Sequence, residues 1–168
     1  MDYFIQALSA EKIKWVNPEI MHITIAFLGD TDEKIITPIS DKINRIGLDY
    51  SPFELIFRST GVFKNIRDPR VIWIGTETSP VLQDLKMRID EELSEFGFVK
   101  ETRDFRPHLT LGRIKWIKNT LALEQAIQRY KDQEIQRELI SGLIFYESVL
   151  KPEGPVYIPL GNFPLLQK

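Results

Sequence analysis

Two four-residue frames, His22-Ile23-Thr24-Ile25 and His108-Leu109-Thr110-Leu111, hold both histidines of the chain and lie 86 positions apart. With nine threonines among 168 residues, two independent placements of Thr at His+2 arise by chance on the order of 1 time in 300. Polar and apolar residues alternate in each frame with the period of a half-buried strand, so the imidazole and hydroxyl share one face, roughly 6–7 Å apart, while Ile or Leu enters a core. Each frame is therefore half of a polar site. Two such halves facing each other supply one imidazole to accept a proton, one to give it, and two hydroxyls to hold an anion between them. That is a kit for cleaving a phosphodiester without metal. A lone His-x-Thr is most often an ordinary polar strand face, and it is the duplication, in a chain with no other histidine, that favours chemistry.

A chain of this length with 43% hydrophobic residues supports one compact domain, or two intimately packed lobes, with a proper core. Its formal net charge of -2 argues against gripping long nucleic acid through bulk electrostatics and leaves room only for a local basic cleft. Small or terminal nucleic-acid substrates fit that balance better. The absence of cysteine excludes disulfides, thiolate nucleophiles and Cys-based zinc sites, and two histidines cannot close a structural metal site by themselves. No cofactor or metal is expected. The N-terminus lacks the basic and apolar regions of a signal peptide, and no stretch approaches the ~20 apolar residues of a membrane span. A cytoplasmic protein without a membrane partner is expected.

After the first frame, Phe27-Leu28-Gly29-Asp30 ends a strand, and Thr37-Pro38 reads as N-cap and first position of a helix running to Gly47. Phe53 to Arg58 and Val71 to Thr76 read as strands of a hairpin with a long loop through Gly61-Val62-Phe63 and Arg67-Asp68-Pro69. Ser79-Pro80 opens the clearest helix, whose Leu82, Leu85, Ile89, Leu93 and Phe96 form a core stripe ended by Gly97. Past the second frame come a helix from about Thr120 to Tyr130 and strands over Leu139 to Tyr146 and Val156 to Leu160. Helix, strand, strand thus follows each frame. This internal repeat predicts an α+β fold of two pseudo-symmetric lobes, each an antiparallel sheet with helices on its outer side, with the frames face to face across a cleft.

At these residues the chain resembles the two-histidine (2H) phosphoesterase superfamily, most closely the RNA 2′,3′-cyclic phosphodiesterase family, historically called 2′-5′ RNA ligases. The resemblance extends to Trp15-Val16-Asn17-Pro18-Glu19, Phe27-Leu28-Gly29, Gly61-Val62-Phe63, Pro69-Arg70-Val71-Ile72-Trp73, Phe105-Arg106-Pro107 and Gly154-Pro155-Val156-Tyr157, in order, from about Ile13 to the C-terminus. It implies a single bilobal domain over residues 1–168. One departure stands out: only some fourteen residues precede Trp15, so residues 2–10 look like the tail of a helix and the family's usual first strand is missing. A monomer is expected, with an uncovered sheet edge that leaves pairing with another chain open.

The resemblance implies hydrolysis of a 2′,3′-cyclic phosphate at an RNA or nucleotide terminus to a 2′-phosphomonoester, the reverse direction giving weak 2′-5′ joining. It assigns His22 as proton donor and His108 as proton acceptor, roles that sequence alone leaves open. Thr24 and Thr110 are expected to donate to non-bridging phosphate oxygens, although β-branched Thr is also ordinary in strands. Arg106 shares the parity of His108 and Thr110 and is expected to lean toward the cleft, whereas Arg113 has the opposite parity and is not. Phe63 is a candidate to stack on a base, although an aromatic in such a stretch is more often core. Two rivals stand beside this reading. One is a non-catalytic nucleotide- or phosphate-binding module, against which both intact histidines argue; the other is a phosphodiesterase for a different cyclic phosphate, such as ADP-ribose 1″,2″-cyclic phosphate, or for 2′-5′ linked oligonucleotides.

Overall fold

The computed structural model describes residues 1–101, 104–152 and 154–166. Four helices, α1 (Asp2–Ala7), α2 (Ile36–Leu48), α3 (Pro80–Ser94) and α4 (Thr120–Gln128), are interspersed with seven strands among the described residues. The strands are β1 (Lys12–Trp15), β2 (Phe53–Asn65), β3 (Asp68–Thr76), β4 (His108–Trp116), β5 (Glu134–Ile140), β6 (Gly142–Lys151) and β7 (Gly154–Pro164). The fold is α+β, with one five-stranded sheet in the order β1-β4-β3-β2-β5 and a second of β6 and β7. No helix among the described residues is long and apolar enough to cross a membrane. The chain divides into two compact units, the first built from Met1–Thr24, Leu55–Thr78 and Arg106–Glu138, the second from Ile25–Glu54, Ser79–Phe105 and Leu139–Lys168.

In the first unit β4 is flanked by antiparallel β1 and β3, and β3 pairs antiparallel with β2. One face of this sheet sends Ile72, Leu111 and Ile114 against Phe4, Leu8, Leu123 and Ala126 of the α1 and α4 regions, and all seven are buried. Burial of such side chains is worth about 1.5–3 kcal/mol each. The segment before β1 and the start of α4 are tied together by Glu11, whose carboxylate accepts the N–H groups of Lys118 and Asn119 at 2.5 and 3.0 Å. The Asn119 side chain in turn caps α4 by accepting from the Ala122 N–H. Thr60, buried on β2, satisfies its hydroxyl by donating to the Ile127 carbonyl at 3.0 Å.

Two expectations for this unit need correction. The β2–β3 hairpin has no long loop: the strands run to Asn65 and from Asp68, and the Asn65 side chain accepts the N–H groups of Arg67 and Asp68 across a tight turn. Register shifts at Ser59 and Lys64, both at positive φ (64° and 76°), change the phase of alternation, which is why a continuous strand reads as one that stops at Arg58 and gives way to a loop. The first His frame is not in a strand. Asn17 caps a 3-10 turn over Pro18–Ile20, and proline has no N–H to offer a ladder, so pairing with β4 ends soon after Val16 donates to the Leu111 carbonyl at 2.9 Å.

The second unit packs α2 on α3 through Ile39, Ile46, Leu85, Ile89 and Leu93, with Leu143 and Phe145 of β6 against the same cluster. Ser79 and Pro80 open α3 as expected, Ser79 Oγ accepting from the Leu82 N–H at 3.2 Å. The start of α2 is earlier than expected. Asp32 caps a 3-10 turn over Glu33–Ile35 that runs into the helix, leaving Thr37 and Pro38 in its first turn, where a missing N–H costs nothing. The strand over Leu139 to Tyr146 is likewise two elements, β5 ending at Ile140 and β6 starting at Gly142.

Tyr50, after α2, donates to the Asp84 carboxylate of α3 at 2.5 Å. Partial desolvation, and then this carboxylate, push the phenol up to about 12 from 10.0. Below pH 10 both folded and unfolded chains keep the phenolic proton. Above it the unfolded chain loses the proton first, so stability falls as pH rises through this window. Urea midpoints measured from pH 9 to 11 should decline for the parent and decline less steeply for Tyr50→Phe; parallel curves would remove Tyr50 from the alkaline limb.

Candidate active site

The second frame opens β4. His108 pairs with Gly75, and Thr110 with Trp73, while Leu111 is only 2% exposed on the opposite, core-facing side. The strand period thus does here what the sequence predicts: imidazole and hydroxyl project from the open face of the five-stranded sheet. His108 Nδ1 lies 2.8 Å from the Arg106 carbonyl oxygen. A carbonyl only accepts, so Nδ1 carries the proton, and in the neutral ring Nε2 is the bare nitrogen.

The first frame repeats this device outside a strand. His22 Nδ1 lies 2.9 Å from the Ile20 carbonyl oxygen, again two residues upstream. The neighbouring Met21 packs against the core of the first unit. His22 is half-buried and Thr24 exposed, and both belong to the same unit as His108 and Thr110, whereas the repeat predicted one frame in each lobe. The preceding β1 carries this segment along β4 through the Trp15–Gly112 pair. Both rings therefore have the same tautomer, set by the same backbone device.

Phe63 lies on β2 rather than in a loop, and its ring meets the His108 imidazole in a T-shaped contact, centroids 4.6 Å apart and planes at 81°. Trp73 backs it at 5.6 Å. The Trp73 indole covers Gly61 so closely that a Cβ there would sit 2.3 Å from a ring carbon. Only glycine at 61 lets the indole lie on the sheet and seat Phe63 against His108. Arg106 precedes β4 with its side chain exposed, and what it gives His108 is its backbone carbonyl.

The parity expected for Arg113 is corrected. Along β3, Trp73 and Val71 are two residues apart and so share a face, yet they pair with Thr110 and Arg113, which are three apart. The extra residue is absorbed at Leu111-Gly112, a β-bulge that returns the next side chain to the opposite phase. Arg113 therefore stands on the face of His108 and Thr110, and its neighbour Ile114 points into the core, 8% exposed. In the sequence, the signal for it is Gly112, a glycine inside a strand.

A family model of LigT-like phosphoesterases matches residues 3–73 and 74–157. The RNA 2′,3′-cyclic phosphodiesterase of Methanocaldococcus jannaschii is 37% identical over 154 residues, covering 92% of this chain and 86% of that protein. That of Methanothermobacter thermautotrophicus is 36% identical over 154 residues, covering 92% and 83%. Among solved structures, TT0787 of Thermus thermophilus superposes with a TM-score of 0.81 at 25% identity over 99% of this chain and 92% of that one. E. coli LigT complexed with 3′-AMP superposes with a TM-score of 0.76 at 21% identity over 99% and 88%.

Proposed function

From its membership of the LigT-like phosphoesterase family, to which this chain belongs, we propose that the protein hydrolyses RNA or nucleotide 2′,3′-cyclic phosphates to 2′-phosphomonoesters. The observation that carries this reading is the repeated histidine device, each imidazole anchored through Nδ1 to the carbonyl two residues before it. A ring fixed in this way has one working nitrogen, Nε2, which accepts a proton when the ring is neutral and donates one when it is charged.

In this mechanism His108 Nε2 takes a proton from water as its oxygen attacks phosphorus. The bond to the 3′ oxygen breaks, and His22 Nε2–H delivers the proton that this leaving group needs. Attack and departure lie on opposite sides of phosphorus, which is why two acid-base groups are required. With an RNA 5′ hydroxyl in place of water, His108 Nε2 takes its proton as the oxygen attacks phosphorus, His22 again protonates the departing 3′ oxygen, and the ends are joined through a 2′-5′ linkage. Thr24 and Thr110 donate to non-bridging oxygens, and Arg113, the cation that the bulge turns onto this face, neutralises charge that grows there. Phe63 acts by holding the His108 ring rather than by offering a free face to a base.

Incubation with a cytidine or adenosine 2′,3′-cyclic phosphate, followed by separation of the 2′- and 3′-monophosphates, tests the reading. The 2′-monophosphate is the expected product. Only the 3′-monophosphate, or no turnover, would overturn it. The rate should survive exhaustive chelation, because the two imidazoles and their hydroxyl and guanidinium partners supply every proton transfer and charge contact that the mechanism uses. An enzyme silent after EDTA and revived by Mn²⁺ would contradict that.

A further inference from the structure

We propose that Lys14 and Lys115 form a track for the phosphates of the RNA body upstream of the cyclic end, so that an oligonucleotide terminus is held more tightly than a free nucleotide at the same reactive site. This rests on the reading above and extends it to substrate class. Lys14 is the direct cross-strand partner of Arg113, and directly opposed residues of an antiparallel pair project from the same face. Lys115 follows Arg113 by two positions, roughly 6.6 Å along the strand, and Ile114 between them is buried in the core. The bulge at Leu111-Gly112 therefore continues the His108–Thr110 face into a row of cations leading away from the histidines.

Both lysines are exposed, and their ammonium groups have no ion-pair partner among the described residues. Several other cations are neutralised locally, Lys42 by Glu92 and Glu95, Lys64 and Arg70 by Asp68, and Arg137 by Glu134. Two adjacent strands that place Lys14, Arg113 and Lys115 on one face with no acidic residue between them form a local positive field. A polyanion fits it by charge, and the strand direction points it toward the reactive end.

The experiment compares the parent with Lys14→Gln, Lys115→Gln and the double variant on two probes. The first is a nucleoside 2′,3′-cyclic phosphate, followed by kcat/KM. The second is a fluorescein-labelled RNA nonamer ending in a 2′-phosphate, whose binding is read by anisotropy from 50 to 300 mM salt and needs no turnover. For single strands each neutralised phosphate contributes about 0.7 to the slope of log K against log salt. The double variant should therefore bind the nonamer with a slope shallower by about 1.4, each single variant by about half of that, while kcat/KM on the nucleotide stays within twofold. Unchanged nonamer slopes would overturn the track, as would equal losses on both probes. A parent that binds the nonamer with the expected slopes but never turns over the nucleotide would leave the track standing and sink the hydrolytic reading instead.

Discussion

His108→Ala should lower the rate of cyclic phosphate hydrolysis by about 10²–10⁴-fold, as should His22→Ala, because in the proposed mechanism each removes one of the two proton transfers in the step. The double variant should be scarcely worse than either alone. The acid and base act in one concerted displacement, so losing either already forfeits their joint contribution. Thr24→Ala and Thr110→Ala should cost less, since one hydroxyl among several donors to phosphate is partly replaceable. The rate should be bell-shaped in pH, as one imidazole must be neutral and the other charged in the same molecule. Thermal unfolding should be unchanged by either histidine substitution, because neither ring belongs to the buried cluster of the first unit. A His108→Ala enzyme with near-normal turnover, or a sigmoidal profile with one ionisation, would reduce the frames to phosphate-binding elements.

The second frame, and not the first, could be read to the level of side-chain direction, and the reason is local backbone chemistry. Alternation is informative only where a ladder holds the chain, as it does from His108 to Thr110. At Asn17-Pro18 the ladder ends, and His22 is placed by a turn and by its bond to Ile20 instead. The α3 stripe was legible because helical periodicity and the Ser79 cap agree, although it also buries Lys86 against Asp90 at 2.5 Å, a pair that apolar periodicity cannot see. The β2–β3 hairpin was blurred by two residues at positive φ that are not glycine, Ser59 and Lys64. Neither carries the residue-type signal that marks such a backbone. Phe63 was legible as a candidate but its contact with His108 was not, since that contact depends on the Trp73 indole lying over Gly61, a relation between strands.

Arg113→Ala should lower kcat/KM for cyclic phosphate hydrolysis by about 10²–10³-fold, the scale seen when one donor to a developing oxyanion is removed. Strict alternation from His108 sends residue 113 into the core, where a guanidinium would be buried and truncation would cost stability rather than catalysis. The register sends it the other way: Val71 opposes Arg113, Trp73 opposes Thr110, and the bulge between them puts Arg113 on the open face. The guanidinium offers two parallel N–H groups to two phosphate oxygens, a geometry that an ammonium cannot reproduce. Arg113→Lys should therefore recover only a minor part of the loss. Because the side chain is exposed and Ile114 carries the packing, the unfolding free energy of Arg113→Ala from urea titration should match the parent to within about 0.5 kcal/mol. Inhibition by inorganic phosphate should weaken alongside kcat/KM, tying the loss to the anion rather than to the base. If Arg113→Ala instead unfolded early and kept its turnover per folded molecule, the side chain would be structural, and the charge of the transition state would have to be met by the hydroxyls and imidazoles alone.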